Sequence, residues 1–250
     1  MNKSAKSQIL YSVLGVALVF ILWLTFYLIV RNEYLIPTPF AVLEKAGLLL
    51  FELEFYSALL STLLRVLLAT AISLIVAIVL AVLCVFFKGL NSILTPITAC
   101  LRALPTLAVL LLILTFTKRS LAPVVVAVIS LIPLAFNKFN GDLSRLDNSI
   151  SPILKVFEVP TKKQVGVYLK GIVPCVVKEF FSLTSFGLKL IVSGEILANV
   201  YRSIGGNISQ ASIYSDVVLL TALTLWVCVL GIVLEVARNF VSAKMEGKYL

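Results

Sequence analysis

Long apolar runs separated by short polar segments dominate the chain. A helix rises about 1.5 Å per residue and the hydrocarbon core of a bilayer is about 30 Å thick, so roughly 20 apolar residues form one crossing. Six runs approach or exceed that length, at residues 9–30, 66–87, 92–117, 120–136, 171–200 and 216–237. The second helix is expected to begin earlier, near Ser57. The pattern predicts an all-α, polytopic membrane protein with about six transmembrane helices.

The third and fifth runs depart from a simple apolar pattern. The third contains Pro96, Arg102 and Pro105, and a proline inside a helix removes a hydrogen bond and clashes with the preceding turn. We therefore expect the first part of this run to be kinked or only partly in the bilayer. The fifth is the most polar, and it includes Lys189 and Glu195.

Composition supports the membrane assignment. Hydrophobic residues make up 60% of the 250 positions and charged residues only 13%, whereas soluble domains carry about 25% charged residues. Histidine is absent and the four cysteines are isolated from one another, which removes the common metal and nucleophile motifs. We therefore expect neither an enzyme nor a metal site.

The basic residues indicate the orientation. The net charge of +9 comes from residues at the ends of apolar runs and in one long connecting segment, which is the pattern of topology signals rather than of nucleic-acid binding. Their excess on one side predicts a multi-pass protein of the cell membrane with both termini in the cytoplasm. Residues 1–34 form a cytoplasmic tail and first helix, and residues 35–250 form the core.

The longest predicted cytoplasmic segment covers residues 137–170. Within it, residues 151–157 and 161–169 are expected to form two short helices separated by Val159 and Pro160. Such a helix pair, lying parallel to the membrane, could dock in a groove on a soluble protein. The alternative is a solvated basic loop held inside by its charge, and the residue types alone favour that alternative.

Charged residues within a membrane span usually face protein or water, because lipid exposure costs at least about 2.5 to 3.5 kcal/mol per charge. Lys189 and Glu195 are therefore candidates for a translocation pathway or a dimer interface. Ser185 shares a helix face with Lys189, and Asn199 shares one with Glu195, so each pair could line a polar track. The alternative is that both charges bond to neighbouring helices.

Several segments, in order, resemble the permease subunits of binding-protein-dependent ABC importers, in particular the nitrate, sulfonate and taurine transporter type. The resemblance covers roughly residues 35–235. It rests on Leu-Ile-Pro-Thr-Pro-Phe-Ala-Val-Leu at 35–43, Ser-Thr-Leu-Leu-Arg at 61–65, Leu-Arg-Ala-Leu-Pro at 101–105, Ile-Val-Pro at 172–174, Leu188-Lys189 with Glu195, and Ser-Ile-Gly at 203–205.

The resemblance implies a type I ABC importer permease-like fold acting as a homodimer. Two ABC ATPase subunits would bind the dimer from the cytosol, and an extracytoplasmic substrate-binding protein would deliver a small solute, either a nitrate-, sulfonate- or taurine-like anion or a vitamin precursor. The chain itself contains no G-x-x-x-x-G-K-[ST] nucleotide motif. No cofactor is therefore expected in this subunit, and ATP would be bound by the partner.

In that family the segment before Pro174 is a coupling loop that docks on the ATPase. Because residues 137–170 occupy the same position here, the resemblance favours a docking segment over a solvated basic loop. The family's Glu-Ala-Ala corresponds here to Lys-Val-Phe at 155–157, and its glycine corresponds to Thr161. The residues assigned to ATPase coupling are Phe157, Glu158, Thr161, Gln164, Tyr168 and Pro174.

Two other functions remain open. An ion-coupled secondary transporter would need no ATPase and would depend on a carboxylate near mid-membrane, for which Glu195 is the best candidate. A membrane enzyme is a poorer alternative because the chain lacks histidine.

Overall fold

The computed structural model describes residues 3–249, with side chains described at positions 11, 14, 15 and 17–243. The described residues form helices and connecting turns, with no strand among them. The helices are α1 (Lys3–Val30), α2 (Pro39–Leu49), α3 (Leu53–Phe86), α4 (Lys88–Ala103), α5 (Thr106–Leu114), α6 (Ala122–Val156), α7 (Thr161–Ala198), α8 (Ile204–Ile213) and α9 (Val217–Tyr249). The predicted all-α class is confirmed.

Four helices, α3, α6, α7 and α9, are long and apolar enough to cross a membrane. The α4–α5 pair adds a fifth crossing if the two bent helices are counted together. In α1, the apolar part that can be assessed is Ala17–Val30, which is shorter than a full crossing. The described residues therefore give four or five spans, and the expected number of about six is too high for them.

The contacts along α7 show how the long helices run. Positions on α3 and α6 meet α7 in the same order, and both run opposite to it. Near the end of α7, Thr62 of α3 and Pro123 of α6 lie beside residues 194–195. Further back along α7, Thr70 and Leu131 lie beside Gly187. Near its start, Phe86 and Asp147 lie beside Tyr168. Since α3 and α6 are parallel, α4 and α5 must carry the chain from one end of the bundle back to the other.

The α4–α5 pair is sharply bent, as the prolines predicted. The two helix axes differ by 86°, and the break lies at Leu104 and Pro105, both with extended backbone angles. A residue before proline is disfavoured in the helical region, which ends α4 at Ala103. Pro96 lies inside α4 without ending it.

The expected pair of short helices at 151–157 and 161–169 is wrong. These residues are the ends of α6 and α7, which have 35 and 38 residues and so lengths of about 52 and 57 Å. Both exceed the roughly 30 Å hydrocarbon core, so the two helices extend beyond a bilayer as one antiparallel hairpin. The predicted turn at Val159 and Pro160 is confirmed, and Glu158 adopts a left-handed conformation there, with φ 47°.

Two short helices, α2 and α8, lie at the opposite end of the bundle from this turn. Thr38 caps α2 by accepting a hydrogen bond from the Ala41 N–H, and Trp226 of α9 donates from its indole to the Ala46 carbonyl. Ser203 caps α8 in the same way by accepting from Gly206. We refer to the two ends of the molecule as the hairpin end and the α8 end.

Small residues bring α3 close to its neighbours. Ala69, Ala77 and Ala81 are fully buried, and small residues allow the close helix approach that membrane bundles use. Helix α1 is different, because most of its described apolar side chains are exposed and its few contacts are with α2. The site described below therefore belongs to the bundle of α3 and α6–α9.

Candidate functional site

Glu195 lies in the centre of a buried polar cluster at the α8 end. Its side chain has no exposed surface. One carboxylate oxygen, Oε1, accepts a hydrogen bond from Arg65 Nη1 at 2.7 Å. The other, Oε2, accepts from Thr62 Oγ1 at 2.9 Å and from the Gly205 N–H at 3.2 Å. The cluster thus joins α3, α7 and the start of α8.

The beginning of α8 is built to receive this carboxylate. The first N–H groups of a helix lack partners within the helix and carry partial positive charge. Here the Gly205 N–H bonds to Glu195, and the Ile204 N–H donates to Thr62 Oγ1 at 3.0 Å. A side-chain carbon at Gly205 would lie 2.4 Å from Glu195 Cβ, so only glycine permits this approach.

These contacts assign Glu195 a clear physical role. Removing one partner of a buried ion pair leaves an uncompensated charge and costs about 3 to 5 kcal/mol. Arg65 is itself mostly buried, with 18% of its side chain exposed. The arrangement therefore acts as a cross-link between three helices, and Glu195 presents no surface to a solute passing along this chain.

Lys189 has the opposite environment. Its side chain is exposed, and it makes no hydrogen bond or ion pair with any residue whose side chain the structure describes. It lies nine residues before Ala198, about 14 Å along α7 from the end of the helix. An unpaired ammonium group within a membrane-spanning segment requires water or a protein partner.

The four residues predicted to line a pathway fall into two groups. Ser185 and Glu195 are buried, whereas Lys189 and Asn199 are exposed. The expected tracks of Ser185 with Lys189 and of Glu195 with Asn199 therefore do not form continuous surfaces. Asn199 ends α7 in a left-handed conformation, with φ 46°.

Ser193, one helical turn from Lys189, faces the break between α4 and α5. It lines a cavity of about 130 Å³ with Thr106 at the start of α5 and with Gly194. A side-chain carbon at Gly194 would lie 2.9 Å from Pro123 Cβ, so α6 and α7 are in close contact here. The exposed side of α7 thus carries the Lys189 cation and the Ser193 hydroxyl beside a broken helix.

The residues assigned to ATPase coupling are also divided by the structure. Phe157 is 75% exposed and Thr161 is exposed, both next to the turn of the hairpin. Glu158 forms the turn itself. Gln164 is half-buried and donates from Nε2 to the Val159 carbonyl at 2.7 Å, so its amide closes the turn.

Tyr168 and Pro174 lie further from the turn. Tyr168 is 2% exposed, its hydroxyl donates to Asp147 Oδ1 at 2.5 Å, and its ring packs edge-on against Phe86. It therefore fixes α6 and α3 against α7 instead of facing a partner. Pro174 is half-buried within α7, which continues through it.

Further side-chain pairs hold the hairpin together. The Cys175 thiol donates to Asp142 Oδ2 at 2.7 Å, and Lys138 lies 3.7 Å from Glu179. These pairs and Tyr168 with Asp147 connect α6 to α7 at successive levels. The hairpin is thus fixed in register over the part that extends beyond a bilayer.

The sequence pattern did not predict the partners of Glu195, which are Arg65, Thr62 and the Gly205 N–H. The available signal was that Arg65 and Glu195 are opposite charges in two long helices, each expensive to bury alone. The sequence pattern also missed Val156, which is exposed beside Phe157.

We compared the chain with models of protein families and with curated proteins, and neither comparison gives a match. The functional argument therefore rests on the geometry of this chain. Among the residues that the structure describes, no group of three or more His, Cys, Asp or Glu residues could hold a metal ion. The four or five apolar helices fit a multi-pass membrane protein.

Proposed function

We propose that this chain is the transmembrane permease subunit of an ATP-binding-cassette importer, working as a homodimer in the cell membrane. The observation that carries the proposal is the α6–α7 hairpin, which extends beyond bilayer thickness and ends in an exposed apolar surface. A protein that only needs to cross a membrane has no use for such an extension. A subunit driven by a soluble ATPase requires one.

The chemistry of the hairpin turn is typical of a protein-docking surface. Ile153, Val156 and Phe157 are 54%, 79% and 75% exposed. Lys155, Lys162 and Lys163 surround them and are also exposed. An apolar centre with a polar rim is the usual anatomy of a protein interface. We name residues 153–163 the docking tip.

The hairpin is suited to transmit movement. Because α6 and α7 are cross-linked from Tyr168 and Asp147 at one end to Pro123 and Gly194 at the other, displacement of the docking tip moves both helices together. The Glu195 cluster then couples that movement to α3 and α8. Closure of an ATPase dimer on ATP would in this way change the packing at the α8 end.

The rest of the proposal follows from the exposed side of α7. A second copy of the chain facing Lys189 would give this cation a water-filled path instead of lipid. The solute would be a small anion or a vitamin precursor, delivered by an extracytoplasmic binding protein. The hairpin end and both termini would then be cytoplasmic, α1 would be an additional span that completes about six, and the core would have the type I importer fold.

The ion-coupled transporter is less well supported. It depended on Glu195 as a mid-membrane carboxylate that binds and releases an ion. Glu195 accepts three hydrogen bonds and is neutralised by Arg65, so ion binding would first have to disrupt that cluster.

The proposal is tested by capture of the ATPase. The chain is expressed in its native host with an affinity tag, and the co-purified ATPase is measured by its ATP hydrolysis. Phe157→Glu should reduce the captured ATPase at least tenfold. The matched control is Phe51→Glu, because Phe51 is 89% exposed at the α8 end. Absence of any ATPase, or equal capture by both variants, would refute the assignment.

A further inference from the structure

Two adjoining cavities open at the α8 end, away from Lys189 and from the docking tip. The larger, of about 360 Å³, is lined by Glu54 and Ser57 of α3, by Arg202 and by Asn207 and Gln210 of α8. The smaller, of about 240 Å³, shares Glu54, Asn207 and Gln210 with it. Ligand pockets are typically about 300 to 1,000 Å³, so the larger cavity alone has room for a small molecule.

The polar side chains around the larger cavity have unused hydrogen-bonding capacity. Within the described part of the chain, the Glu54 carboxylate and the amides of Asn207 and Gln210 make no side-chain hydrogen bond or ion pair. Arg202 only stacks on the neighbouring Tyr201 ring, at 5.4 Å. Glu54 and Arg202 line one cavity without forming an ion pair with each other.

The side chains around the cavity differ from those of the Glu195 cluster, which is also at the α8 end. In the Glu195 cluster every charge is matched by a partner from the same chain. Around the cavity, a carboxylate, a guanidinium and two amides line one open, mostly exposed surface, and none of them pairs with another polar side chain that the structure describes. Convergent polar groups that lack internal partners are what a polar ligand requires for orientation.

Arg202 lies between α7 and α8 with φ 51°, one of several left-handed residues in the described chain. Its side chain lines the larger cavity.

The charges around the two cavities are arranged asymmetrically. Arg202 lines only the larger cavity, Glu54 lines both, and Glu52 and Asp216 line only the smaller. Glu52 pairs with Lys45 at 3.4 Å and Asp216 caps α9 by accepting from the Leu219 N–H at 2.9 Å, so among the carboxylates that line the two cavities Glu54 is the one without a side-chain or capping partner in the described chain. A ligand with a single charge would pair with only one of Glu54 and Arg202, whereas a ligand with two opposite charges would pair with both.

We propose that the cavity bounded by Glu54 and Arg202 binds a small zwitterion of the amino-acid type, with its ammonium group at Glu54 and its acid group at Arg202. Asn207 and Gln210 donate to and accept from the remaining polar atoms of the ligand. This site goes beyond the permease assignment and does not depend on it. It is a recognition site on the chain itself at the α8 end.

Binding is measured by equilibrium dialysis of the full-length chain in lipid nanodiscs, with no ATPase or binding protein present. The probes are radiolabelled glycine, β-alanine and 4-aminobutyrate, which differ in the distance between their two charges. Propionate and n-propylammonium serve as singly charged competitors. We expect at least one of the three zwitterions to bind at least tenfold more tightly than either competitor. If no zwitterion binds, or if a singly charged probe binds equally well, the proposal is wrong.

Two variants assign the charges. Arg202→Gln should remove the advantage of the zwitterion over n-propylammonium, and Glu54→Gln should remove its advantage over propionate. Arg31→Gln is the matched control, because Arg31 is also exposed and left-handed, with φ 47°, but lies outside the cavity. Zwitterion preference that persists in both cavity variants would overturn the assignment. Since no ATPase is present in this experiment, neither outcome affects the permease proposal, which is tested separately by ATPase capture.

Discussion

Arg65 Nη1 lies 2.7 Å from Glu195 Oε1, and the two residues are 130 positions apart in the sequence. Both side chains lie within helices long and apolar enough to cross a membrane. Each of the two groups has a partner there, and Thr62 and the Gly205 N–H of α8 complete the bonding of the carboxylate. The most distinctive charge in α7 is therefore a structural group.

The first prediction concerns this pair. Glu195→Ala should lower the free energy of unfolding by about 3 to 5 kcal/mol, because Arg65 would remain buried without its partner. The measurement is thermal or denaturant unfolding in detergent. Lys45→Ala is the control, since the exposed Lys45–Glu52 pair should contribute less than about 1 kcal/mol.

Replacing both charged partners distinguishes the effect of lost packing on stability from the effect of leaving one charge unpaired. Arg65→Met combined with Glu195→Met should be more stable than either single variant, because no unpaired charge is left. If the double variant is as unstable as the sum of the two singles, the residues do not interact as the structure indicates.

A second prediction concerns the close approach of α8 to α7. Gly205→Ala should destabilise the protein, because the added carbon would lie 2.4 Å from Glu195 Cβ and 2.6 Å from the Val192 carbonyl oxygen. Gly47→Ala is the control. It lies in α2 with nothing within 4 Å of the added carbon and should stabilise by about 0.5 to 1 kcal/mol. Equal effects of the two changes on the melting temperature would contradict the packing at α8.

A third prediction distinguishes Lys189 from Glu195. Lys189 has no partner among the described side chains, so Lys189→Ala should leave folding and dimer assembly unchanged while reducing solute uptake at least tenfold. Glu195→Ala should instead reduce the amount of assembled protein. Uptake in reconstituted vesicles and size-exclusion profiles measure the two effects. Normal uptake by the Lys189 variant would remove this residue from the pathway.

Much of the helical architecture was predictable from the sequence, because the apolar runs are long and the prolines mark their interruptions. The turn at Pro160 was expected, and so was a kink in the third run, although the structure places the break at Pro105 and not in the first part of the run. The lengths of α6 and α7 were not, because residues 137–170 are too polar to be recognised as parts of apolar helices. Their helical state depends on contacts between distant positions, such as Tyr168 with Asp147.

The candidate site was less predictable for a similar reason. Lys189 and Glu195 were equivalent in sequence terms, since each is one charge in the same apolar run. Their different environments are decided by Thr62 and Arg65, more than a hundred residues earlier in the chain. Opposite charges in two helices indicate that a pair could form, but a single sequence does not determine which distant positions meet.

A fourth prediction concerns coupling. Thr161→Arg combined with Gln164→Arg should lower transport-linked ATP hydrolysis severalfold, because the first adds charge within the docking tip and the second adds charge beside it and removes the Gln164 bond to the Val159 carbonyl. Tyr168→Phe should leave ATPase capture intact, because Tyr168 is buried. Hydrolysis is measured in proteoliposomes with the binding protein present. Unchanged hydrolysis in the double variant would mean that this surface does not contact the ATPase.

The last prediction concerns the side of the membrane that the docking tip occupies. Lys162 is exposed next to the turn, and a cysteine there should react with a membrane-impermeant maleimide only after the cells are opened. The four native cysteines are first replaced by alanine or serine. Phe51→Cys at the α8 end should react in intact cells, because α3, α6 and α7 run between the two ends. If the reagent reaches position 162 in intact cells, no cytosolic ATPase could act on the hairpin and the importer assignment would fail.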